Sequence, residues 1–269
     1  MAQISRAGYY EWLGRKESQR SRENRSLSVR IGAIYQEHRQ VYGALRIWRE
    51  LTEQGHACGK HRVARLMKAA GLKSVHRRKY RPQTTDSQHG LAIADNLIRQ
   101  DFRAKAPNQK WGCDISYIPT GEGWLYLAIV LDFYSRKIVG YALGNSLQAS
   151  LCSEALKQAC LRRNPPAELI HHSDRGVQYA SSEYRKILEK HCLIPSMSRK
   201  GNCYDNAMVE SFFHTLKVEL IHRKRYATRQ EATLDVENYI HGFYNSIRRH
   251  SSIDYLSPNL YEKLKPVAA

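Results

Sequence analysis

The first seventy residues carry apolar side chains at the three- and four-residue spacing of amphipathic helices. The pattern predicts helices over 26–37, 44–54 and 60–70; the last two end at Gly55 and Gly71, since glycine readily adopts the left-handed backbone of a helix end. Two short helices joined by a glycine-bearing turn are typical of a helix-turn-helix. The side chains predicted to face inward are Leu27, Ile31 and Ile34 in the first helix, Leu45, Trp48 and Leu51 in the second, and Val63, Leu66, Met67 and Ala70 in the third.

Beyond residue 107 the pattern changes to short apolar runs rich in Ile, Val, Leu and Tyr, which favour β-strands. Turn signals separate the first three runs and predict an antiparallel meander. Helices and strands then alternate, which predicts an α/β fold: a mixed sheet with helices on its faces. A long helix is expected after Asp205 and Asn206, both good N-cap residues. The other predicted strands and helices are strands 111–119, 124–132, 138–143, 169–172 and 194–197, and helices 151–163, 181–191 and 230–244.

Basic residues are concentrated in the N-terminal part of the chain. The sequence has 43 Lys and Arg against 25 Asp and Glu, a net charge of +18, and residues 1–100 contribute +12 of it. A polyanion is the expected partner, and nucleic acid is the commonest one. Lys60, His61, Arg62 and Arg65 lie on the outward face of the third predicted helix, where a recognition helix meets DNA. A solvated helix surface is the alternative.

Residues 74–104 form a predicted basic linker in which the helical periodicity stops. Its basic run includes Arg77 and Arg78, which are expected to lie along a DNA backbone. A linker that is merely solvated is the alternative.

Composition excludes several other classes of protein. No apolar run approaches the roughly 20 residues of a membrane span, and the N-terminus lacks the apolar stretch of a signal peptide. We therefore expect a cytoplasmic protein without a membrane partner, associated with the nucleoid when bound to DNA. The six cysteines include no Cys-x-x-Cys pair, which argues against a disulfide framework and a cysteine-rich zinc module.

Three acidic residues occupy positions that suggest one shared site. Asp114 interrupts the first strand, where Asp is disfavoured, and Asp174 follows a short apolar strand. Glu210 lies in the first turns of the long helix, where the helix dipole favours a carboxylate. Three such carboxylates can hold two Mg²⁺ or Mn²⁺ ions, because hard cations prefer oxygen ligands. Taken singly, Asp174 would be an ordinary turn residue and Glu210 a helix cap partner.

Other polar residues have two interpretations. Asp132, at the end of the second strand, could replace one of the three acids as a ligand, but a role in the hairpin turn is favoured. His171 and His172 could belong to a zinc site, yet no two further ligands lie nearby. An ordinary supporting role or a phosphate contact is therefore favoured for His172.

Polar residues around the long helix and near the C-terminus are candidate DNA contacts. Asn202, Asp205 and Asn206 could touch DNA, although helix capping explains Asp205 and Asn206 more simply. Arg248 and Arg249 follow the predicted helix over 230–244 and are expected to face DNA. A solvated helix end is the alternative for these two arginines.

Three segments together resemble a known family. They are Trp-x-x-Asp-Ile-Ser-Tyr at 111–117, His-Ser-Asp-Arg-Gly-x-Gln-Tyr at 172–179, and Ser-x-Lys-Gly-Asn-x-x-Asp-Asn-Ala-x-x-Glu-Ser-Phe at 198–212. These segments resemble the catalytic core of DDE transposases in the retroviral-integrase superfamily, in particular the OrfB product of the insertion-sequence-three family. The spacing of 35 residues between Asp174 and Glu210 matches the DD35E signature of that family, and Lys217 lies where the family has a basic residue.

The resemblance implies a ribonuclease-H-like catalytic core that cuts and joins DNA with two Mg²⁺ or Mn²⁺ ions. It implies that Asp114 bridges both ions, while Asp174 and Glu210 each complete one metal site. Lys200, Asn202 and Lys217 are then expected to contact DNA.

The resemblance also implies partners and domains. The expected partners are element ends and target DNA, an upstream OrfA-type protein or fusion, and further copies of the chain on DNA. The family usually has a few tens of residues before the segment that opens this chain, so the chain is expected to start late. The predicted domains are a helix-turn-helix-like DNA-binding region over 1–73, the linker over 74–104, the catalytic core over 105–222 and a helical extension over 223–269.

Two other functions remain open at this point. The first is a catalytically inactive, transposase-derived regulator that only binds DNA, against which the intact set of three acids argues. The second is a ribonuclease-H-like nuclease that cuts DNA without joining it.

Overall fold

The computed structural model describes residues 5–75, 91–200 and 202–265, and the chain divides into two compact units, Met1–Val75 and His76–Ala269. The first unit is helical, and the second contains a mixed five-stranded sheet with helices. The predicted α/β fold with an N-terminal helical region is therefore confirmed. Within the described ranges, no helix is long and apolar enough to cross a membrane.

The described part of the N-terminal unit contains α1 (Arg6–Gly14), α2 (Gln19–Glu37), α3 (Ala44–Glu53) and α4 (Lys60–Ala69). The last three confirm the predicted helices, although α2 begins earlier than expected. Its start is fixed by Ser18, whose side chain accepts a hydrogen bond from a backbone N–H in the first turn. The helix α1 was not predicted, and none of its residues is buried.

Helices α2, α3 and α4 share a small apolar core in which Ile47, Leu51 and Val63 are completely buried. Two inward-facing predictions were wrong, because Leu45 is 49% exposed and Ala70 is also exposed. The buried stripe of α3 passes through Ile47 and Leu51, about one helical turn apart. Leu45 lies roughly 200° around the helix from Ile47 and therefore points the other way.

Five strands form one sheet in the order β3-β2-β1-β4-β5. The first three strands form the predicted antiparallel meander, whereas β1 pairs with β4, and β4 with β5, in parallel. The long central strand β1 therefore joins the antiparallel and the parallel halves of the sheet. The strands are β1 (Lys110–Thr120), β2 (Gly123–Asp132), β3 (Ile138–Gly144), β4 (Ile170–Ser173) and β5 (Ile194–Met197).

Helices connect and cover these strands. The predicted helix over 230–244 is one helical segment whose last six residues are a π-helix, Tyr239–Tyr244. The helices α6 and α10 were not predicted. The described helices of this unit are α5 (Ala149–Arg163), α6 (Val177–Ala180), α7 (Ser182–Lys190), α8 (Ala207–Glu219), α9 (Arg229–Asn238) and α10 (Pro258–Leu264), with 3₁₀ turns at Cys203–Asn206, Ile221–Arg223 and Ser251–Ile253.

The two faces of the sheet are covered by different helices. On one face, Trp111 and Cys113 of β1 belong to an apolar core with α5 and α7. On the other face, α8 packs against β1 at Gly112, where an added Cβ would lie 2.7 Å from Cγ2 of Val209. Only glycine allows so close an approach, so Gly112 sets the start of α8 directly over β1.

A buried ion pair fixes the C-terminal segment to the end of α8. Arg248 donates hydrogen bonds to both carboxylate oxygens of Glu219, at 2.8 and 2.7 Å, and the hydroxyl of Tyr239 donates to the same carboxylate at 2.8 Å. Breaking such a pair leaves an uncompensated buried charge. The C-terminal segment is therefore part of the packed unit that holds α8.

Candidate active site

Asp114 lies within β1, and Asp174 directly follows the neighbouring parallel strand β4. Gly112 of β1 pairs with His172 of β4, and each aspartate follows two residues later along its chain. Because parallel strands advance together, both side chains reach the same edge of the sheet. Both side chains are half-buried. The structure thus brings together two of the three predicted acids.

Glu210 approaches the same place from the first turn of α8. The start of this helix is tied to β1, because the side-chain amide of Asn206 donates a hydrogen bond to the carbonyl oxygen of Cys113 at 3.3 Å. Glu210 itself is exposed to solvent, although the surrounding protein raises its pKa by desolvation. The third acid is therefore held over the strand that carries the first.

The three carboxylates act on one another electrostatically. Burial raises the pKa of Asp114 well above its usual value, and the nearby negative charges of Asp174 and Glu210 raise it further. A backbone hydrogen bond from Ile115 and the positive charge of Lys217 oppose this rise. The cluster is thus a region of concentrated negative charge.

One oxygen of each aspartate is engaged by the local backbone. Asp114 accepts a hydrogen bond from the N–H of Ile115 at 2.8 Å, and Asp174 accepts one from the N–H of Gly176 at 2.9 Å. These bonds orient the two carboxylates. In the described part of the chain, no three His, Cys, Asp or Glu side chains are arranged so that they could hold a metal ion together.

Lys217 lies next to this cluster, two turns along α8 from Glu210. Its ammonium nitrogen is 4.9 Å from the centre of the Tyr117 ring, a cation–π contact. Burial lowers the pKa of Lys217, and the negative charge of Asp114 partly opposes that effect. Tyr117 was not singled out from the sequence, because spacing along α8 does not show which strand residue the lysine meets.

Asp205 does not cap α8, so that prediction was wrong. Its carboxylate is completely buried and accepts hydrogen bonds from the backbone and guanidinium of Arg199 and from the side-chain amides of Asn96 and Gln100. Asn206 occupies the N-cap position without a side-chain capping bond. Asp205 therefore ties the segments around Asn96 and Arg199 to the start of α8.

The two histidines are structural rather than zinc ligands. His171 is buried, and its Nε2 lies 2.8 Å from both Cys113 Sγ and the Tyr184 hydroxyl. His172 is buried between the hydroxyls of Ser196 and Ser198, at 2.9 and 3.2 Å. Burial also lowers the pKa of His171 to about 3 and that of His172 to about 4. The suggested phosphate contact of His172 is thus wrong.

Asp132 has the predicted turn role. Its buried carboxylate accepts hydrogen bonds from the backbone N–H groups of Asn108, Tyr134 and Ser135. The same carboxylate accepts one from the indole N–H of Trp111 at 3.3 Å. Asp132 thus holds the β2–β3 turn.

The candidate DNA contacts of the first unit differ in accessibility. Lys60, His61 and Arg65 are exposed on α4. Arg62 instead turns toward α2, donating a hydrogen bond to Asn24 at 2.8 Å and pairing with Glu23 at 3.1 Å. Arg77 and Arg78 lie outside the described residues.

In the second unit, two predicted DNA contacts were wrong. Arg248 and Arg249 are only 5% and 7% exposed; Arg248 pairs with Glu219, and Arg249 donates to the carbonyl oxygen of Tyr255 at 2.9 Å. A partner 29 residues earlier in the chain cannot be found from the local pattern around two arginines.

The other candidates of this unit remain accessible. Lys200 is exposed, and Asn202 is half-buried. The side chain of Asn202 accepts a hydrogen bond from the N–H of Tyr204 at 3.0 Å, which caps the 3₁₀ turn.

Family models match most of the chain. An HTH-like domain matches residues 21–80, an integrase core domain matches residues 104–203, and a second integrase core domain model matches residues 210–265.

Two similar proteins span almost the same length. The chain is 45% identical over 267 residues to the insertion element IS600 uncharacterized 31 kDa protein of Shigella sonnei, covering 99% of this chain and 98% of that protein. It is 42% identical over 261 residues to the transposase InsF for insertion sequence IS3A of Escherichia coli strain K12, covering 96% of this chain and 90% of that protein.

One solved structure shares the fold. The simian T-cell lymphotropic virus intasome in complex with PP2A regulatory subunit B56 gamma matches with a TM-score of 0.52 at 14% identity, over 82% of this chain and 76% of that chain. The HTLV-2 integrase catalytic core domain in complex with magnesium has a TM-score of 0.43 at 16% identity, over 58% of this chain and 97% of that chain.

Proposed function

Because this chain belongs to the IS3 family of transposases, with an integrase core and an HTH-like domain, we propose that it cleaves insertion-sequence ends and joins them to DNA in a metal-dependent reaction. The observation that carries this proposal is the position of Asp114 on β1 and of Asp174 directly after the adjacent strand β4, close to the start of the helix that bears Glu210. DNA is the proposed substrate, both as element ends and as target.

The chemistry of the three acids suits a hard divalent cation. All their donor atoms are carboxylate oxygens, and the charges of Asp174 and Glu210 disfavour the ionised form of Asp114, a repulsion that a cation would relieve. Although the three side chains are not gathered into a ligand set in this structure, we propose that they would hold two ions of Mg²⁺ or Mn²⁺. Asp114 would contribute to both sites, and Asp174 and Glu210 to one each. When bound, such ions activate a water or a 3′-hydroxyl for in-line attack and stabilise the leaving oxygen.

The remaining residues position DNA around this site. Lys217 is close enough to Asp114 to act on its ionisation, and we assign it to a phosphate near the scissile bond. The exposed basic residues of α4 are proposed to contact the element end. The proposed DNA contacts are Lys60, His61, Arg65, Arg77, Arg78, Lys200, Asn202 and Lys217.

The proposed organisation follows these roles. We assign DNA binding to 1–73, a basic linker to 74–104, catalysis to 105–222 and support of the catalytic core to the extension over 223–269. Further copies of the chain and an upstream OrfA-type partner are proposed to complete the assembly on DNA.

The test is strand transfer with labelled ends of the neighbouring genomic element in Mg²⁺ and in Mn²⁺. Asp114→Asn, Asp174→Asn and Glu210→Gln should each lower the rate by at least ~10³, because each removes one ligand charge from the metal pair. DNA affinity should stay within about twofold, since none of the three is assigned to DNA. Glu189→Gln is the matched control, because Glu189 is an exposed acid on α7.

Each alternative function predicts a different result in this assay. A wild-type protein that binds the ends without cutting them would be a regulator, and one that cuts without joining would be a nuclease. Near-normal strand transfer by one of the three variants would remove that residue from the site.

A further inference from the structure

A cavity of about 570 Å³ lies in the second unit, outside the cluster of three acids. One wall is the segment 99–104, and the others are the β2–β3 turn and residues near α10. The lining combines positive charge with flat aromatic surface. Its arginines are Arg99, Arg103 and Arg136, its aromatic residues are Phe102, Phe133, Tyr134 and Tyr261, and its acidic residue is Asp101.

Two of the arginines make no side-chain hydrogen bond or ion pair with the residues that the structure describes. The half-buried guanidinium of Arg136 makes no hydrogen bond or ion pair with any described residue, and burial lowers its pKa. Arg99 is exposed and likewise makes no such side-chain contact within the described ranges. Arg103, in contrast, pairs with Asp101 at 2.8 Å. A half-buried charge without a partner is unfavourable, so Arg136 is suited to an anion from outside the chain.

The aromatic residues form two pairs that line the cavity. The rings of Phe102 and Phe133 are 5.6 Å apart, and those of Tyr134 and Tyr261 are 5.0 Å apart. The hydroxyl of Tyr134 donates to the carbonyl oxygen of Lys265 at 2.7 Å, which fixes its ring. Aromatic rings stack with any nucleobase, because every base has a π-face. A nucleotide combines such a face with a phosphate.

The cavity is connected to the candidate active site at two points. The ring of Phe133 packs against Gly112, which precedes Asp114 by two residues, or about 7 Å of strand. The side chain of Gln100, on the cavity wall, donates to Asp205 just before the helix that carries Glu210. Residues of the cavity wall thus contact the two segments that carry Asp114 and Glu210.

We propose that this cavity binds an unpaired nucleotide of a DNA strand. The base stacks on the half-buried rings of Phe102, Tyr134 and Tyr261, while Arg136 and Arg99 contact phosphates. The inference rests on the proposed function only in taking DNA as the polymer.

The test measures equilibrium binding of the full chain to two labelled duplexes of one scrambled sequence. One duplex is blunt, and the other has a short 3′ overhang containing 2-aminopurine. The wild type should bind the overhang duplex about tenfold more tightly, in line with stacking of one base, and should quench the 2-aminopurine fluorescence. Arg99→Ala and Arg136→Gln should reduce this preference to about twofold. Phe102→Ala should remove the preference and the quenching.

Lys157→Ala is the matched control, because Lys157 is an exposed cation on α5, on the opposite face of the sheet. It should keep the full preference for the overhang. Thermal unfolding checks that each variant is folded, and Arg99→Ala carries little risk because its side chain is exposed.

Equal wild-type binding to both duplexes would overturn the proposal. The proposal would also be overturned if Lys157→Ala lost as much of the preference for the overhang duplex as the arginine variants do. These results are distinct from failure of the proposed function. Strand transfer without an overhang preference refutes the cavity alone. A preference that Arg136→Gln reduces to about twofold, in a protein without strand transfer, supports the cavity and refutes the proposed enzyme.

Discussion

The ammonium nitrogen of Lys217 lies 4.9 Å from the centre of the Tyr117 ring, on the side of α8 that carries Glu210. The aromatic ring keeps the ammonium group of Lys217 near Asp114 and does not neutralise its positive charge, as a carboxylate partner would. A lysine held in this way can still bind a phosphate. The uncharged Tyr117 of β1 thus positions the positive charge of Lys217 in the proposed site.

Lys217→Met should lower strand transfer with the element's own ends by about tenfold or more, because the phosphate loses its cation. Lys217→Arg should retain most activity, since a guanidinium also stacks on an aromatic face. The measurement compares cognate with scrambled ends. An equal loss on both would show that Lys217 does not contribute to recognition of the end.

Asp114→Asn should make the metal-free protein more stable. Burial and its acidic neighbours raise the pKa of Asp114 in the folded state, so its ionised form at pH 7 destabilises the fold. We expect the unfolding temperature in EDTA to rise by about 2–4 °C, as for a gain of roughly 1 kcal/mol. Saturating Mg²⁺ should stabilise the wild type but not the variant. A lower unfolding temperature of the variant in EDTA would contradict this explanation.

Acid should destabilise the second unit through its buried histidines. The pKa of His172 is about 4 when folded, against about 6.5 when unfolded, so its stabilising contribution is complete above pH 6.5. That contribution is lost as the pH falls from 6.5 toward 4. His172→Gln cannot take up this proton and should flatten the decline of unfolding free energy, measured in urea, over that range. If the unfolding free energies of the wild type and of His172→Gln fell equally with pH, His172 would be excluded as a cause of the acid sensitivity.

The salt dependence of DNA binding should differ between variants of Arg65 and of Arg62, the two arginines of α4. Arg65→Ala should reduce the slope of log K against log[salt] by about 1, because one phosphate contact is lost. Arg62→Ala should leave the slope unchanged, since Arg62 is already bound to Asn24 and Glu23. An equal change in both variants would mean that DNA draws Arg62 away from α2.

Arg248→Met should destabilise the second unit by about 3–5 kcal/mol, because the buried carboxylate of Glu219 loses its ion pair with Arg248. The double variant Glu219→Leu/Arg248→Met should recover most of this loss. Urea unfolding measures both. If the double variant were as unstable as Arg248→Met, loss of packing rather than unpaired charge would be the cause.

Features that depend only on neighbouring residues in the chain could be predicted from the sequence. The meander follows from three short apolar runs, and an aspartate inside the first run already indicated a site. Burial of Arg248 and Arg249 was not predictable, because it depends on where Glu219 lies after folding. The same holds for Asp205, whose partners come from two separate segments, and for Leu45, where the choice between two apolar faces is made by packing.

The pairing of Glu219 with Arg248 also has a consequence for the timing of activity during synthesis. Chains leave the ribosome from their N-terminus. Helix α8, with Glu210 at its start and Glu219 at its end, therefore emerges before Arg248, which pairs with Glu219. Until Arg248 is made, its ion pair with Glu219 cannot form, and α8 lacks this anchor. The support that this ion pair gives to α8, and with it to the proposed position of Glu210, is therefore complete only when almost the whole chain has been made.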